Sequence, residues 1–128
     1  MRETVRIARV YEPADPKGGQ RVLVDRLWPR GLRKEDAHLD LWCKDVSPST
    51  ELRRFYGHRP ERFEEFARRY REELGAPPAA TAVEQLLQLA DERSMTLLTA
   101  TRDLSTSGAA VLADHLSRIA SRRGPDSP

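Results

Sequence analysis

Arg26 and Arg30 lie four residues apart, beside Asp25 and around Trp28, in the segment Asp25-Arg26-Leu27-Trp28-Pro29-Arg30-Gly31. A guanidinium is a planar fork of N–H donors that matches the oxygens of a carboxylate or phosphate, so two of them so close can clamp an anion. The alternative is structural: one arginine pairs with Asp25 or Asp103 and orders its own loop. Trp28 could serve as a stacking platform. A Trp followed by Pro more often plugs the end of a sheet, and that reading is preferred here. A second polar loop runs Thr101-Arg102-Asp103-Leu104-Ser105-Thr106-Ser107-Gly108. Arg102 adds a cation, and Ser105, Thr106 and Ser107 add hydroxyls just ahead of a helix. Free amides at a helix start attract anions, while one hydroxyl is needed as the ordinary N-cap. The loop is not a P-loop, because the Gly-Lys-Ser/Thr ending is absent.

His58 is the candidate acid or base, a lone imidazole in the turn Gly57-His58-Arg59-Pro60. Its competing role is to fix that turn by bonding a backbone carbonyl, which is the commoner fate. His38 is expected to be exposed, and His115 to be a partly buried packing residue of the last helix. Cys43 has no basic residue at a diagnostic spacing and reads as a buried, inert thiol. One Cys and three scattered His give no metal-ligand spacing. No metal and no cofactor are called for.

The elements that must position these residues follow from periodicity. Val5 to Val10 and Arg21 to Leu27 read as strands, with Val22, Leu23 and Val24 buried. The loop between them contains Pro13, Pro16, Gly18 and Gly19, and it leaves the first strand's orientation open. Leu32 to Ala37 can form one helical turn. Leu39, Leu41 and Cys43 can share a face of a third strand. Ser47 to Thr50 ends that strand and caps a short helix through Tyr56. Pro60 leads into a helix whose stripe is Phe63, Phe66, Ala67, Tyr70 and Leu74, stopped by Gly75 and Pro77. Thr81-Ala82-Val83-Glu84 has a capping-box pattern opening a helix with Val83, Leu86, Leu87 and Ala90 inward. Met95 to Ala100 is a short apolar strand. Ala109 to Ser121 is the last helix, with Leu112, Leu116 and Ile119 inward.

This order predicts an α/β fold: a small, mostly parallel sheet of three to four strands flanked by helices. Val22–Val24 and Leu97–Ala100 are expected to be neighbouring, parallel, central strands. Both polar loops would then open at one sheet edge, where ligands bind in open α/β sheets. One domain is expected over 1–123, followed by a disordered tail, 124–128. The length, 128 residues, suits one core. The 38% hydrophobic and 33% charged content fits a soluble globular chain. No apolar run is long enough to span a bilayer, and Met1 to Val5 lacks a signal-peptide apolar core. With a single Cys, the cytoplasm is the expected compartment. The net charge of +2 is small, and Arg interleaves with Glu, so a nucleic-acid partner is not expected. No oligomeric state can be read.

Arg9-Val10-Tyr11, Arg21 to Gly31 with its Trp-Pro-Arg-Gly segment, Ser47-Pro48-Ser49, Leu52-Arg53, Phe55, His58, Pro60, Phe63, Phe66, Tyr70 and Glu73-Leu74 together resemble the YeaO-like family. The resemblance covers about Val5 to Ile119. It implies a small bacterial α/β domain of unknown function. The family's last loop often carries an Asn-His pair just before the final helix. Ser107 and Gly108 stand there in this chain, so a mechanism needing that His would be crippled. The resulting expectation is binding of a small anionic ligand between the two polar loops, with or without a reaction. The alternative is a non-catalytic interaction domain that uses Arg62, Arg68, Arg69 and Arg71 to bind protein or nucleic acid.

Overall fold

Val22, Leu23, Leu97 and Leu98 sit at the centre of a four-stranded sheet in the computed structural model of the protein, which describes residues 5–123. The strands are β1 (Val5–Arg9), β2 (Gln20–Leu23), β3 (Leu41–Trp42) and β4 (Met95–Thr99), in spatial order β1-β4-β2-β3. Every pairing is parallel, with Val22 opposite Leu97 and Leu23 opposite Leu98. The two apolar runs are therefore the central pair, as their composition predicts. β1 also runs parallel to β4, which settles the orientation that its short following loop leaves open. The third strand is only Leu41–Trp42. His38 adopts left-handed backbone and Leu39 precedes the strand, so Leu39 packs on the opposite face from Leu41 and Cys43.

Four helices, α2 (Thr50–Tyr56), α3 (Phe63–Leu74), α4 (Ala79–Glu92) and α5 (Gly108–Arg122), cover one face. Tyr70, Leu74, Val83, Leu86, Leu87, Leu112 and Leu116 join Val22 and Leu97 there in the main core. The stripe on α3 is buried as its spacing requires: Phe66, Ala67, Tyr70 and Leu74 are inside. α4 begins at Ala79, after Pro78, so Thr81 lies within the helix and is not its cap. Proline supplies the preset φ that starts a helix without a side-chain cap.

The opposite face is covered by irregular chain and by α1 (Lys34–Ala37). Leu23 and Leu98 pack there with Val10, and with the flanking Trp28, Leu32, Leu39, Trp42 and Ala100. A parallel sheet needs both faces covered, and here a buried arginine ties the cover down. Arg21, 8% exposed, donates from Nε and Nη2 to the Ala37 carbonyl at 3.2 and 3.0 Å. Nη2 also reaches the carbonyls of Val10 (3.4 Å) and Glu12 (3.5 Å). Trp28 donates to the Leu32 carbonyl at 2.6 Å and meets Trp42 edge-on at 5.3 Å. α5 ends at Arg122; the expected tail lies outside the described residues. No helix among the described residues is long and apolar enough to cross a membrane.

Candidate functional site

The carboxyl ends of β2 and β4 open into a cavity of about 470 Å³. Both strands are parallel and adjacent, so the segments leaving them share one edge. Asp25 and Arg26 follow β2, and Thr99 to Thr101 close β4. The wall opposite comes from Ser47, Pro48, Arg53, Tyr56 and His58 around α2, from Phe66 and Tyr70 of α3, and from Ser107 to Ala109 at the start of α5.

Asp25 is the best-anchored polar group. Its Oδ1 accepts from the Thr99 hydroxyl at 2.7 Å and its Oδ2 from the Ala100 amide at 2.8 Å. Its own carbonyl accepts from Trp42 Nε1 at 2.8 Å. Burial lifts its carboxyl above the usual carboxylate range, opposed by those two hydrogen bonds and by the charge of Arg53. Neither Arg26 nor Arg30 pairs with a carboxylate among the described residues. Asp103, the other proposed partner, instead caps the turn at Leu104 by accepting from Ser105 N and Oγ. Both arginines are exposed on the cavity wall. The Arg30 carbonyl is held by the Tyr11 hydroxyl at 2.9 Å.

The second loop contributes less than its composition promises. Ser107 reaches the cavity, but its hydroxyl is committed: it donates to the Leu104 carbonyl and caps α5 by accepting from the Ala110 amide. Arg102, Ser105 and Thr106 do not line the cavity. Arg102 and Ser105 are exposed, Ser105 within a single helical turn over Leu104–Thr106. The Thr106 carbonyl is taken by the Tyr56 hydroxyl at 2.6 Å. What the loop does present is backbone at Gly108. A first-turn amide has no partner within its own helix, and without a Cβ this one can be approached closely. A Cβ there would stand 3.6 Å from Pro48 Cγ and Tyr70 Cε2.

His58 is on the cavity rim, exposed, in left-handed backbone at φ 57°. Its ring lies 6.0 Å from that of Tyr56. Trp28 touches the cavity but is half-buried and tied to Leu32 and Trp42, so it is a plug more than a platform. Tyr70 donates to the Val46 carbonyl, and burial pushes its phenol well above the ordinary value. Cys43 is buried, and burial, then Asp45, pushes its thiol up, as an inert thiol requires. His38 is exposed, and His115 is half-buried with its imidazole pushed down by burial. No group of three His, Cys, Asp or Glu that could hold a metal occurs among the described residues.

Three contributors are not read as site residues in the sequence, although Arg53 and Glu73 belong to the family resemblance. Arg53, on α2, is the third guanidinium of the cavity. Thr99 orients Asp25. Glu73, on α3, accepts from Ser49 N at 2.9 Å and Ser49 Oγ at 2.6 Å, holding Ser47-Pro48-Ser49 against the helix. The hydroxyl ending of an apolar strand was the available signal for Thr99. The family resemblance includes the other two but assigns them no role.

Two of the arginines of α3, Arg68 and Arg69, are paired along the helix. Arg68 pairs with Glu65 and Glu72, and Arg69 with Glu65. Those pairs draw the Glu65 carboxyl down to about 2. Arg62 donates to the Phe55 carbonyl at 2.6 Å, and both Arg62 and Arg69 lie over the Phe55 ring.

These features define a small parallel α/β domain with an arginine-lined cavity at the carboxyl ends of its central strands. The chain belongs to the family described as "Inactive DUF488-N3 subclade", which matches residues 4–128. It is 56% identical over 117 residues to the uncharacterized protein Rv3073c of Mycobacterium tuberculosis, covering 91% of this chain and 97% of that protein. It is 38% identical over 112 residues to the uncharacterized protein YeaO of Escherichia coli, covering 88% and 96%. No solved structure matches.

Proposed function

We propose that this domain binds a small anionic ligand in the cavity at the ends of β2 and β4, and that it acts by binding and not by turnover. One observation carries the reading. Three guanidiniums, Arg26, Arg30 and Arg53, line one cavity with a single carboxylate, Asp25, and none of the three forms an ion pair with a carboxylate among the described residues. Unneutralised arginines around a concave, partly apolar site concentrate anions. The start of α5 adds its amides and dipole to the same wall.

Three points favour binding over catalysis. The cavity's imidazole, His58, is at the exposed rim. Asp25 spends an acceptor position of each oxygen on the protein itself. Ser107 and Gly108 stand where the YeaO-like resemblance places an Asn-His pair, and the matching subclade is described as inactive. With Arg68 and Arg69 paired to glutamates, α3 offers a polyanion less free positive charge than its sequence suggests. A cytoplasmic setting remains part of the proposal.

Titration of ¹⁵N-labelled protein with inorganic phosphate tests the reading. Saturable shifts are expected at Ala100, Gly108 and Ala109, weakening as salt rises and greatly reduced in an Arg26→Ala/Arg30→Ala variant. Shifts scattered over the surface, or none that saturate, refute it.

A further inference from the structure

Among the described residues, two buried side-chain donors have no acceptor, the Nε atoms of Arg9 and Arg53, and of the two only Arg53 lines the cavity. It lines the cavity from the last turn of α2, and its Nη2 donates to the Thr50 hydroxyl at 3.2 Å. Its Nε is shut off from solvent and has no acceptor. Buried donors are nearly always satisfied, so an orphan calls for an explanation. A side chain parked in this way gains a partner by turning toward an anion in the cavity. The exposed arginines Arg26 and Arg30 have water in place of a partner and lack that incentive.

Asp25 supplies the complementary half. A carboxylate offers about four acceptor positions, and the Thr99 hydroxyl and Ala100 amide take one on each oxygen. The remaining positions suit hydrogen-bond donors from a ligand. An ammonium group is disfavoured there, because three guanidiniums and one carboxylate leave an excess of two positive charges in the cavity. A hydroxyl brings the donor without the charge. A phosphate monoester carries about 1.5 to 2 negative charges near neutral pH and matches that excess. Gly108 lets such a group approach the first-turn amides of α5 closely.

We propose that Arg53 anchors the phosphate of a hydroxylated phosphate monoester in this cavity, while Asp25 accepts hydrogen bonds from the ligand's hydroxyls. The inference rests on the reading of the cavity as an anion site and specifies its ligand class. It makes Arg53 the main affinity residue and Asp25 the residue that distinguishes an ester from a bare anion.

Calorimetric titration with inorganic phosphate, ribose and ribose 5-phosphate separates the two contributions. Wild-type protein is expected to bind ribose 5-phosphate at least about tenfold more tightly than inorganic phosphate, and ribose not measurably. Arg53→Gln should weaken both phosphates by about tenfold or more, whereas Arg54→Gln on the exposed side of α2 should change neither. Asp25→Asn should erase the preference for the ester without weakening inorganic phosphate. Melting curves check that each variant is folded. If Arg53→Gln does not fold, Arg53→Lys, which keeps the charge but not the fork, must still lose affinity for both phosphates. Unchanged affinity in folded Arg53 variants, or an ester preference that survives Asp25→Asn, overturns this inference and leaves the anion site standing. Failure of wild-type protein to bind either phosphate overturns both.

Discussion

Replacing Arg21 by Met should unfasten the cover over the second face of the sheet. Met keeps an unbranched apolar stem of similar reach, so the change removes the guanidinium with little loss of packing. Two good hydrogen bonds to the Ala37 carbonyl disappear, at 3.0 and 3.2 Å, with two marginal ones to Val10 and Glu12. Hydrogen bonds from a charged donor are worth about 1.5–3 kcal/mol each, and a buried carbonyl left alone costs about 1–3 kcal/mol. Those figures overlap and do not simply add. A loss of about 3–5 kcal/mol is expected, comparable to breaking a buried ion pair. Against a typical stability of about 5–15 kcal/mol the variant folds but is weakened. Urea unfolding followed by circular dichroism is the assay, and with a slope of about 2 kcal/mol/M the midpoint should fall by about 2 M. The loop from Arg26 to Asp40 should exchange its amides faster, and phosphate binding should weaken, because Trp28 and Arg30 depend on that cover. A loss below about 1 kcal/mol would show that water reaches the Ala37 carbonyl and that the cover holds itself.

Gly108→Ala should gain about 0.4–1 kcal/mol by stiffening the unfolded chain, since the added methyl meets Pro48 and Tyr70 at ordinary contact distance. The same methyl should weaken phosphate binding; thermal melting and phosphate titration of this one variant should move in opposite directions. Gly19→Ala is the contrast: φ is +67° and a Cβ would stand 2.1 Å from the Ser94 carbonyl oxygen, so a loss above about 2 kcal/mol is expected in urea unfolding. Asp25 has a raised carboxyl, so the folded state holds that proton more tightly than the unfolded chain. Its ionisation therefore opposes folding as pH rises through the raised value, and the contribution is favourable only below the ordinary carboxylate range. Asp25→Asn should compare best with wild type near about pH 7 and lose ground toward about pH 4 in parallel urea unfolding; the reverse trend would show that its hydrogen bonds outweigh desolvation. Removing Glu65 (Glu65→Gln) should matter little to stability, and less still at high salt, because its pairs with Arg68 and Arg69 are at the surface.

Much of the fold is legible in the sequence. Val22–Val24 and Leu97–Leu98 announce central strands because only a strand buried on both faces carries unbroken apolar runs. The stripe on α3 announces its buried side because three- and four-residue spacing has one physical solution. Capping by Ser49 and Ser107 follows from local amide chemistry. Thr81 misled because a capping pattern is equally compatible with a helix interior once Pro78 starts the helix earlier. Leu39 misled because the strand begins only at Leu41, so its alternation does not extend back to residue 39.

The sequence alone determined the class of fold, the parallel central pair and the edge at which their polar loops meet, because periodicity and capping act over a few residues. Only tertiary structure decided which groups share the cavity. Arg53 and Glu73 enter the sequence reading only through the family resemblance; packing sets the charge of one in the cavity with Asp25 and the carboxylate of the other on Ser49. Arg102 and Ser105 are exposed in the fold and do not line the cavity. Arg21, the first residue of the predicted strand, is buried because three distant carbonyls converge on its guanidinium. Burial, the orphaned Nε of Arg53 and the direction a guanidinium takes depend on contacts between segments tens of residues apart, and no local pattern in the chain encodes them.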